Sequence, residues 1–344
     1  MRIRHLALVA AVPVAVGAAI VATPGHVHAA GNTLAVQTTT DDDGSATCTG
    51  TAPNLSCPTL RDAVVRADTD NSNDTIALGS TTYVLSNCSG IDVFGPFPGS
   101  DGALAVSSSM TVQGQGSGAT LIDTTSGTCG ASTGWNDPIF ATCSSPDLTM
   151  IGVTLEHGNA SGVGPSGLSD GGAINVGEVT SCPPRPDAPQ HGTQPIPASP
   201  GTLTMQDVKI ANSSSAGDGG GAAAGEGTIP YNVSFSSVTF ASNKANGGEG
   251  GAFYFDSTSV GSPIVTMNNV WAHDNAQTVT ECATQNATRS GKACPTQIGG
   301  GAFYILDSSN QTSTATNVLI ERNTANSING GGVYESGTAV FNWT

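Results

Sequence analysis

Residues 234–245 read SFSSVTFASNKA and residues 266–277 read TMNNVWAHDNAQ. Set one above the other, they share Ser or Thr at the first place, Val at the fifth, an apolar residue at the seventh and Asn at the tenth. Three further copies follow the same pattern: TMIGVTLEHGNA from Thr149, TMQDVKIANSSS from Thr204 and TATNVLIERNTA from Thr314. The fifth place is Val in all five, as Val153, Val208, Val238, Val270 and Val318. Asn243, Asn275 and Asn323 hold the turn position, and in the first copy Asn159 comes one place late. A fixed period with fixed residue types in columns is the mark of a repeat array. A lone strand cannot bury its apolar face, whereas identical strands stacked in parallel can.

A glycine block follows each copy: Gly171-Gly172-Ala173, Gly220-Gly221-Ala222, Gly250-Gly251-Ala252, Gly300-Gly301-Ala302 and Gly331-Gly332-Val333. Uninterrupted copies are 30 to 32 residues apart, and insertions at 178–200 and 278–297 account for the longer spacings. Within a copy the strand period is two, with Val238 and Phe240 on one face and Thr239 and Ala241 on the other. The Asn column suits a left-handed corner, and its amides can bond from rung to rung. Paired glycines suit a second corner, where positive φ excludes a Cβ. The fold class these features predict is all-β: a right-handed parallel β-helix, or solenoid, with a short N-terminal capping helix.

The bulk composition agrees. The chain has 344 residues, of which 45 are Gly and only 10% are charged. Its 26 acidic and 10 basic residues give a formal charge of −16, which repels phosphate backbones and argues against nucleic-acid binding. Residues 1–29 read as a secretory signal peptide: Arg2 and Arg4, an apolar run from Leu6 to Ala22, and small residues Val27 and Ala29 before the cleavage point. The expected destination is secreted, extracellular or at the cell surface, with no membrane span in the mature chain. Eight cysteines, an even number, favour disulfides in an exported protein. The local pairs are Cys48 with Cys57, Cys129 with Cys143, and Cys282 with Cys294, leaving Cys88 and Cys182 over.

The expected organisation is a capping module over 30–75 and the β-helix over 76–344. Leu60, Ala63, Val64 and Ala67 lie at helical spacing, and Thr59 with Asp62 forms a capping-box pattern. A helix here would cover the open end of the stack. The segment Cys57, Leu60-Arg61-Asp62-Ala63-Val64, followed by Asp74-Thr75-Ile76, resembles the CSLREA-type N-terminal module of exported bacterial β-helix proteins, departing from it by the extra Pro58. Met110-Thr111-Val112-Gln113-Gly114 and Leu121-Ile122-Asp123 resemble early rungs of the same proteins. The glycine blocks and the Phe240-to-Asn243 turns resemble repeats of chlamydial polymorphic outer-membrane proteins. That resemblance spans about residues 45–344 and implies a surface-exposed or adhesive role.

Chemistry has fewer footholds. Parallel β-helices also include pectin-type polysaccharide lyases and glycoside hydrolases, which gather carboxylates on one face to hold Ca²⁺ or to act as acid and base. Asp170, Asp218 and Glu249 lie just ahead of successive glycine blocks and form a candidate acidic column. Aligned on its block, Asp218 falls one place early, and later rungs carry no acid there, so the column reads as broken. Asp256, Asp307 and Glu335 also lie near the blocks. Tyr254, Tyr304 and Tyr334 follow the blocks and form a strip that either faces a glycan or stacks rung on rung. His157 and His273 sit alone in turns, no zinc-binding spacing occurs, and a Ser-His-Asp signature is absent. The reading is a noncatalytic surface, adhesin-like or glycan-binding scaffold with no catalytic residue, metal or cofactor. Its expected partner is a surface polysaccharide or a host or cell-surface molecule. The alternative is a polysaccharide lyase or hydrolase, which would bring Ca²⁺. The apolar run Thr338 to Thr344 raises the expectation of end-to-end self-association.

Overall fold

The computed structural model describes residues 30–69, 72–87, 102–124, 134–143, 145–161, 168–179, 200–225, 230–256, 264–278, 299–307, 312–326, 331–337 and 340–343. The signal segment, Cys88, Cys129, Cys182, Cys282, Cys294 and nearly all of both insertions lie outside them. The described residues form one helix and three sheets of thirteen, seven and five strands. In the largest sheet, Asn73–Ala77, Met110–Gln113, Leu148–Glu156, Gly201–Ala211, Tyr231–Ala241, Val265–His273, Thr312–Glu321 and Val340–Trp343 stack in chain order, every neighbour parallel. Short strands such as Lys244–Ala245 make the five-stranded sheet, and Phe253–Asp256 and its equivalents make the seven-stranded one. Each pass through the sheets is one rung, and the architecture is a parallel β-helix.

Burial follows the columns. The first half of the long strands turns Leu34, Ile76, Val112, Met150, Met205, Phe235, Met267 and Ala315 inward, each at most 1% exposed. The second half buries Val153, Val208, Val238 and Val270 as the Val column requires, and Val318 is partly buried at the edge of the same core. Phe240, Phe253 and Phe303 pack among one another, with ring centroids 5.9–6.3 Å apart for the pairs involving Phe240.

The period of two does not run through the whole strand. Met205 and Val208 both point inward although they are three positions apart, an odd interval. The reason is a column of left-handed residues just before each Val: Gly152, Asp207, Ser237, Asn269 and Asn317, at φ of 50° to 61°. Each is skipped on both neighbouring strands at the same place, so each is an in-register kink that reverses the facing of the residues after it. The Asn column also differs from expectation. The left-handed residue is the one before it, in the series His157, Asn212, Ser242, Asp274 and Arg322. Asn243, Asn275 and Asn323 point inward as an amide ladder. Nδ2 of Asn243 donates to Oδ1 of Asn275 at 3.0 Å, and Nδ2 of Asn275 to Oδ1 of Asn323 at 2.9 Å. Each also donates to a carbonyl of the preceding rung, that of Ile210, Phe240 or Ala272.

At the N-terminal end, Ala30–Val36 pairs in parallel with Asn73–Ala77, and Asn54–Cys57 with Ala30–Val36, so parallel pairing already begins ahead of residue 76. Thr49–Thr51 closes the sheet as an antiparallel strand. Helix α1 (Leu60–Ala67) starts at Thr59, whose hydroxyl accepts the Asp62 N–H at 3.1 Å while the Asp62 carboxylate accepts the Thr59 N–H. Leu60, Ala63, Val64 and Ala67 are buried in the main core, beside the strands Ala30–Val36, Asn73–Ala77 and Leu104–Val106. Arg61 is buried too: its guanidinium grips Asp41 through Nε at 3.0 Å and Nη2 at 2.9 Å, and donates to the carbonyls of Asn87 and Gly102. Asp41 in turn accepts the N–H groups of Ser86 and Asn87. The Leu-Arg-Asp-Ala-Val run thus supplies core, clamp and cap from successive residues. Burial, then the nearby Asp42 carboxylate, raises the Asp62 carboxyl above its usual range, while the Thr59 hydrogen bonds lower it.

Candidate functional site

The glycine corner sets the acidic column. Gly171, Gly219, Gly250 and Gly300 take φ of 61° to 74°. A Cβ on Gly250 would lie 2.3 Å from the Phe253 carbonyl oxygen, so the position admits only glycine. The rung-to-rung bonds from Gly171 to the Asp218 carbonyl and from Gly219 to the Glu249 carbonyl fix the register. The block of that rung is therefore Gly219-Gly220-Gly221, one place earlier than the sequence alignment. Asp218 falls directly into line, and Asp170, Asp218 and Glu249 occupy one column over three consecutive rungs. The break between Asp170 and Glu249 disappears. Gly299 follows in the next rung.

These carboxylates are engaged with the backbone. The Asp218 N–H donates to Oδ1 of Asp170, and the Glu249 N–H donates to Oδ1 of Asp218. Asp170 and Glu249 are buried, at 8% and 7% exposure. The Asp170 and Asp218 carboxylates thus tie each rung to the next. Asp256, Asp307 and Glu335 fall in three different columns, paired with Leu306, Gly337 and Ile305. Among the described residues, no group of three or more His, Cys, Asp or Glu side chains is placed to hold a metal ion.

The tyrosines form a stack. Tyr254 and Tyr304 are 5.4 Å apart between centroids with planes inclined by 10°, and Tyr304 and Tyr334 are 4.9 Å apart at 14°. Ala223 continues the column below Tyr254. Tyr254 and Tyr304 are buried and Tyr334 is partly exposed. Burial, then the charge of Glu249, raises the Tyr304 phenol well above the usual range; Tyr334, Asp218 and Asp256 add to this. The strip is a rung-to-rung aromatic spine beside the acidic column.

The other side of the coil is open. On the first half of the long strands, Thr33, Thr75, Thr111, Thr149, Thr204, Ser234, Thr266 and Thr314 fall in one outward column across eight consecutive strands. All are exposed or partly exposed, and among the described residues none of their hydroxyls bonds to another protein group. The neighbouring outward column is Ala35, Ala77, Gln113, Ile151, Gln206, Ser236, Asn268 and Thr316. Neither column contains a charge.

Past the kink, the column reads Thr154, Lys209, Thr239, Trp271 and Leu319, with Thr154 buried and the later members turned outward. Trp271 is 40% exposed and Leu319 is 54% exposed. His273 lies against the indole at 4.0 Å between centroids, and Trp271 Nε1 donates to Glu321 at 3.3 Å. Arg322 clamps Asp274 through Nε at 2.8 Å and Nη2 at 3.0 Å, and Nη1 lies 2.9 Å from Glu321. The Arg322 bonds, then the one from His273, hold the Asp274 carboxyl well below its usual range. The repeat carried the signal for this site, in the slot after each Val, where Trp and Leu replace Thr and Lys. Of the two turn histidines, His157 pairs with Asp123 at 2.8 Å and His273 with Asp274 at 2.7 Å, in different columns.

Cys48 and Cys57 form a disulfide that closes the N-terminal hairpin. Cys143 is disulfide-bonded, and Cys129 lies outside the described residues. No helix among the described residues is long and apolar enough to cross a membrane. No protein-family model, curated protein or solved structure matches the chain. The class of protein is therefore defined by its own geometry, as a parallel β-helix.

Proposed function

We propose that the protein is an exported, noncatalytic β-helix scaffold that binds glycans at a cell surface. The observation that carries this reading is the outward hydroxyl column of eight strands with a second uncharged column beside it. A rigid sheet spaces these groups by about 4.8 Å. Such a surface offers donors and acceptors to a hydroxyl-rich chain without having to desolvate a charge. Export is supported by the signal-like residues 1–29 and by the disulfides, which persist in oxidising compartments. The resemblance to CSLREA-type and chlamydial repeat proteins points to the same setting. End-to-end self-association belongs to this reading, and light scattering across a concentration series tests it.

The polysaccharide-lyase or hydrolase alternative would use Asp170, Asp218 and Glu249, with Ca²⁺ for a lyase. The deciding experiment incubates the secreted protein with neutral and acidic polysaccharides, with and without Ca²⁺. It measures both retention on the polymer and release of new chain ends. Retention without release is expected. Release that disappears in Asp218→Asn would overturn the noncatalytic reading.

A further inference from the structure

We infer that Trp271, with Glu321 and Arg322, forms a discrete subsite for one ring of a neutral oligosaccharide. The inference rests on the glycan-binding reading above and places its specific contact away from the tyrosine strip. Trp271 and Leu319 are the large hydrophobic side chains exposed among the described residues, and they are register partners on adjacent rungs. Every other large apolar side chain in the described columns is at least partly buried, so this pair interrupts an otherwise polar surface. An exposed indole offers a flat apolar face with a polar edge, suited to a ligand that is apolar on its ring face and hydroxylated at its rim. The rim here is already ordered. Glu321 holds the indole N–H, and Arg322 is held between Glu321 and Asp274. The carboxylate and guanidinium therefore meet a ligand hydroxyl with little side-chain freedom left to lose.

Size and charge choose the occupant. Two side chains make too small an apolar patch for the core of a protein–protein interface, which needs roughly 800 Å² on each partner and several anchors. They match one sugar ring. Asp274, Glu321 and Arg322 together carry a formal −1, and the whole chain carries −16, so a polyanionic glycan is repelled.

The test titrates the full-length protein with cellohexaose, xylohexaose, mannohexaose and chitohexaose, with polygalacturonate as the anionic comparison. The variants are Trp271→Ala, Trp271→Phe and Arg322→Ala. Trp271 is exposed, so the far-ultraviolet spectrum should not change in the variants. At least one neutral oligosaccharide should bind. Its affinity should fall at least tenfold in Trp271→Ala and severalfold in Arg322→Ala, and be largely kept in Trp271→Phe. In the wild type, the indole N–H resonance missing from Trp271→Phe should shift on titration, a readout that needs no variant to bind. Unchanged affinity in Trp271→Ala with no shift of that resonance overturns the subsite and leaves the glycan-binding scaffold standing. Tighter binding of polygalacturonate overturns the neutral class. Failure of the wild type to bind any of the probes overturns both readings.

Discussion

Replacing Asn275 by Ala removes the middle of the amide ladder. The side chain makes four hydrogen bonds. Nδ2 donates to the Phe240 carbonyl at 3.1 Å and to Asn323 Oδ1 at 2.9 Å, while Oδ1 accepts the Asn243 N–H at 2.9 Å and its Nδ2 at 3.0 Å. After the change, the backbone N–H of Asn243 is left buried without that acceptor, at a residue only 1% exposed. A stranded buried donor costs about 1–3 kcal/mol, and each remaining bond contributes about 1 kcal/mol net. The loss should therefore be about 4–6 kcal/mol. The same change at Asn323 strands the Asn275 N–H in its turn, but Asn323 is partly exposed and water can fill the vacated place, so the cost should be smaller, about 1–2 kcal/mol. Urea unfolding followed by far-ultraviolet circular dichroism and by tryptophan emission measures both. Two probes are needed because a repeat array can unfold in parts. Asn275→Asp keeps the acceptor but turns a carboxylate toward the oxygens of Phe240 and Asn323, so it should be more damaging at pH 7 than at pH 3. If Asn275→Ala costs no more than Asn323→Ala, the ladder is ornamental and the reasoning fails.

Three other outcomes are expected. Gly250→Ala should destabilise by at least about 2 kcal/mol, from left-handed strain plus the clash with the Phe253 carbonyl, whereas Gly118→Ala, with nothing within 4 Å of its Cβ, should be close to neutral in the same thermal melt. Opening Cys48–Cys57 by Cys→Ser changes releases a separation of 9 residues and should cost about 2.7 kcal/mol on the chain-entropy model, read as a shift in the urea midpoint. Burial raises the phenols of Tyr231 and Tyr304 above the usual 10.0, so the unfolded chain gives up those protons first; stability is full below about pH 10 and falls as pH rises beyond it. Tyr304→Phe should flatten that alkaline decline, and an identical pH profile for the variant would refute the assignment.

The Val column made the stacked architecture legible, because one residue type at one place in five copies can only mean a shared inward position. What the columns hid was facing. A left-handed residue such as Asp207 or Asn269 looks like any polar residue in a strand, and the reversal it causes appears only once neighbouring rungs pair around it. The run Gly219-Gly220-Gly221 hid register in the same way. Three equal residues align equally well in two frames, and only the backbone bonds of Gly171 and Gly219 select the frame that completes the acidic column. Trp271 follows an inward Val, so its outward facing was readable; its contact with Glu321, 50 residues away, was not. The capping box of α1 lies within four residues and was readable as it stands. The partners of Arg61 could not be read, because Asp41 and Gly102 come from segments 20 and 41 residues away.

The order of the rungs has a mechanical consequence. From Asn73–Ala77 onward, successive strands of the large sheet are joined side by side in chain order, so tension applied at Trp343 meets the strand Val340–Trp343 before any earlier rung. It loads the bonds between Val340–Trp343 and Thr312–Glu321 a few at a time, as in peeling tape. Tension applied near Cys48 meets a different resistance. The span between Cys48 and Cys57 is covalently closed and cannot lengthen, and just beyond it Arg61 bolts the helix to Asp41. A molecule held at Cys48 and pulled at Trp343 would thus release its coil one turn at a time, starting from the side that carries Trp271 and Leu319.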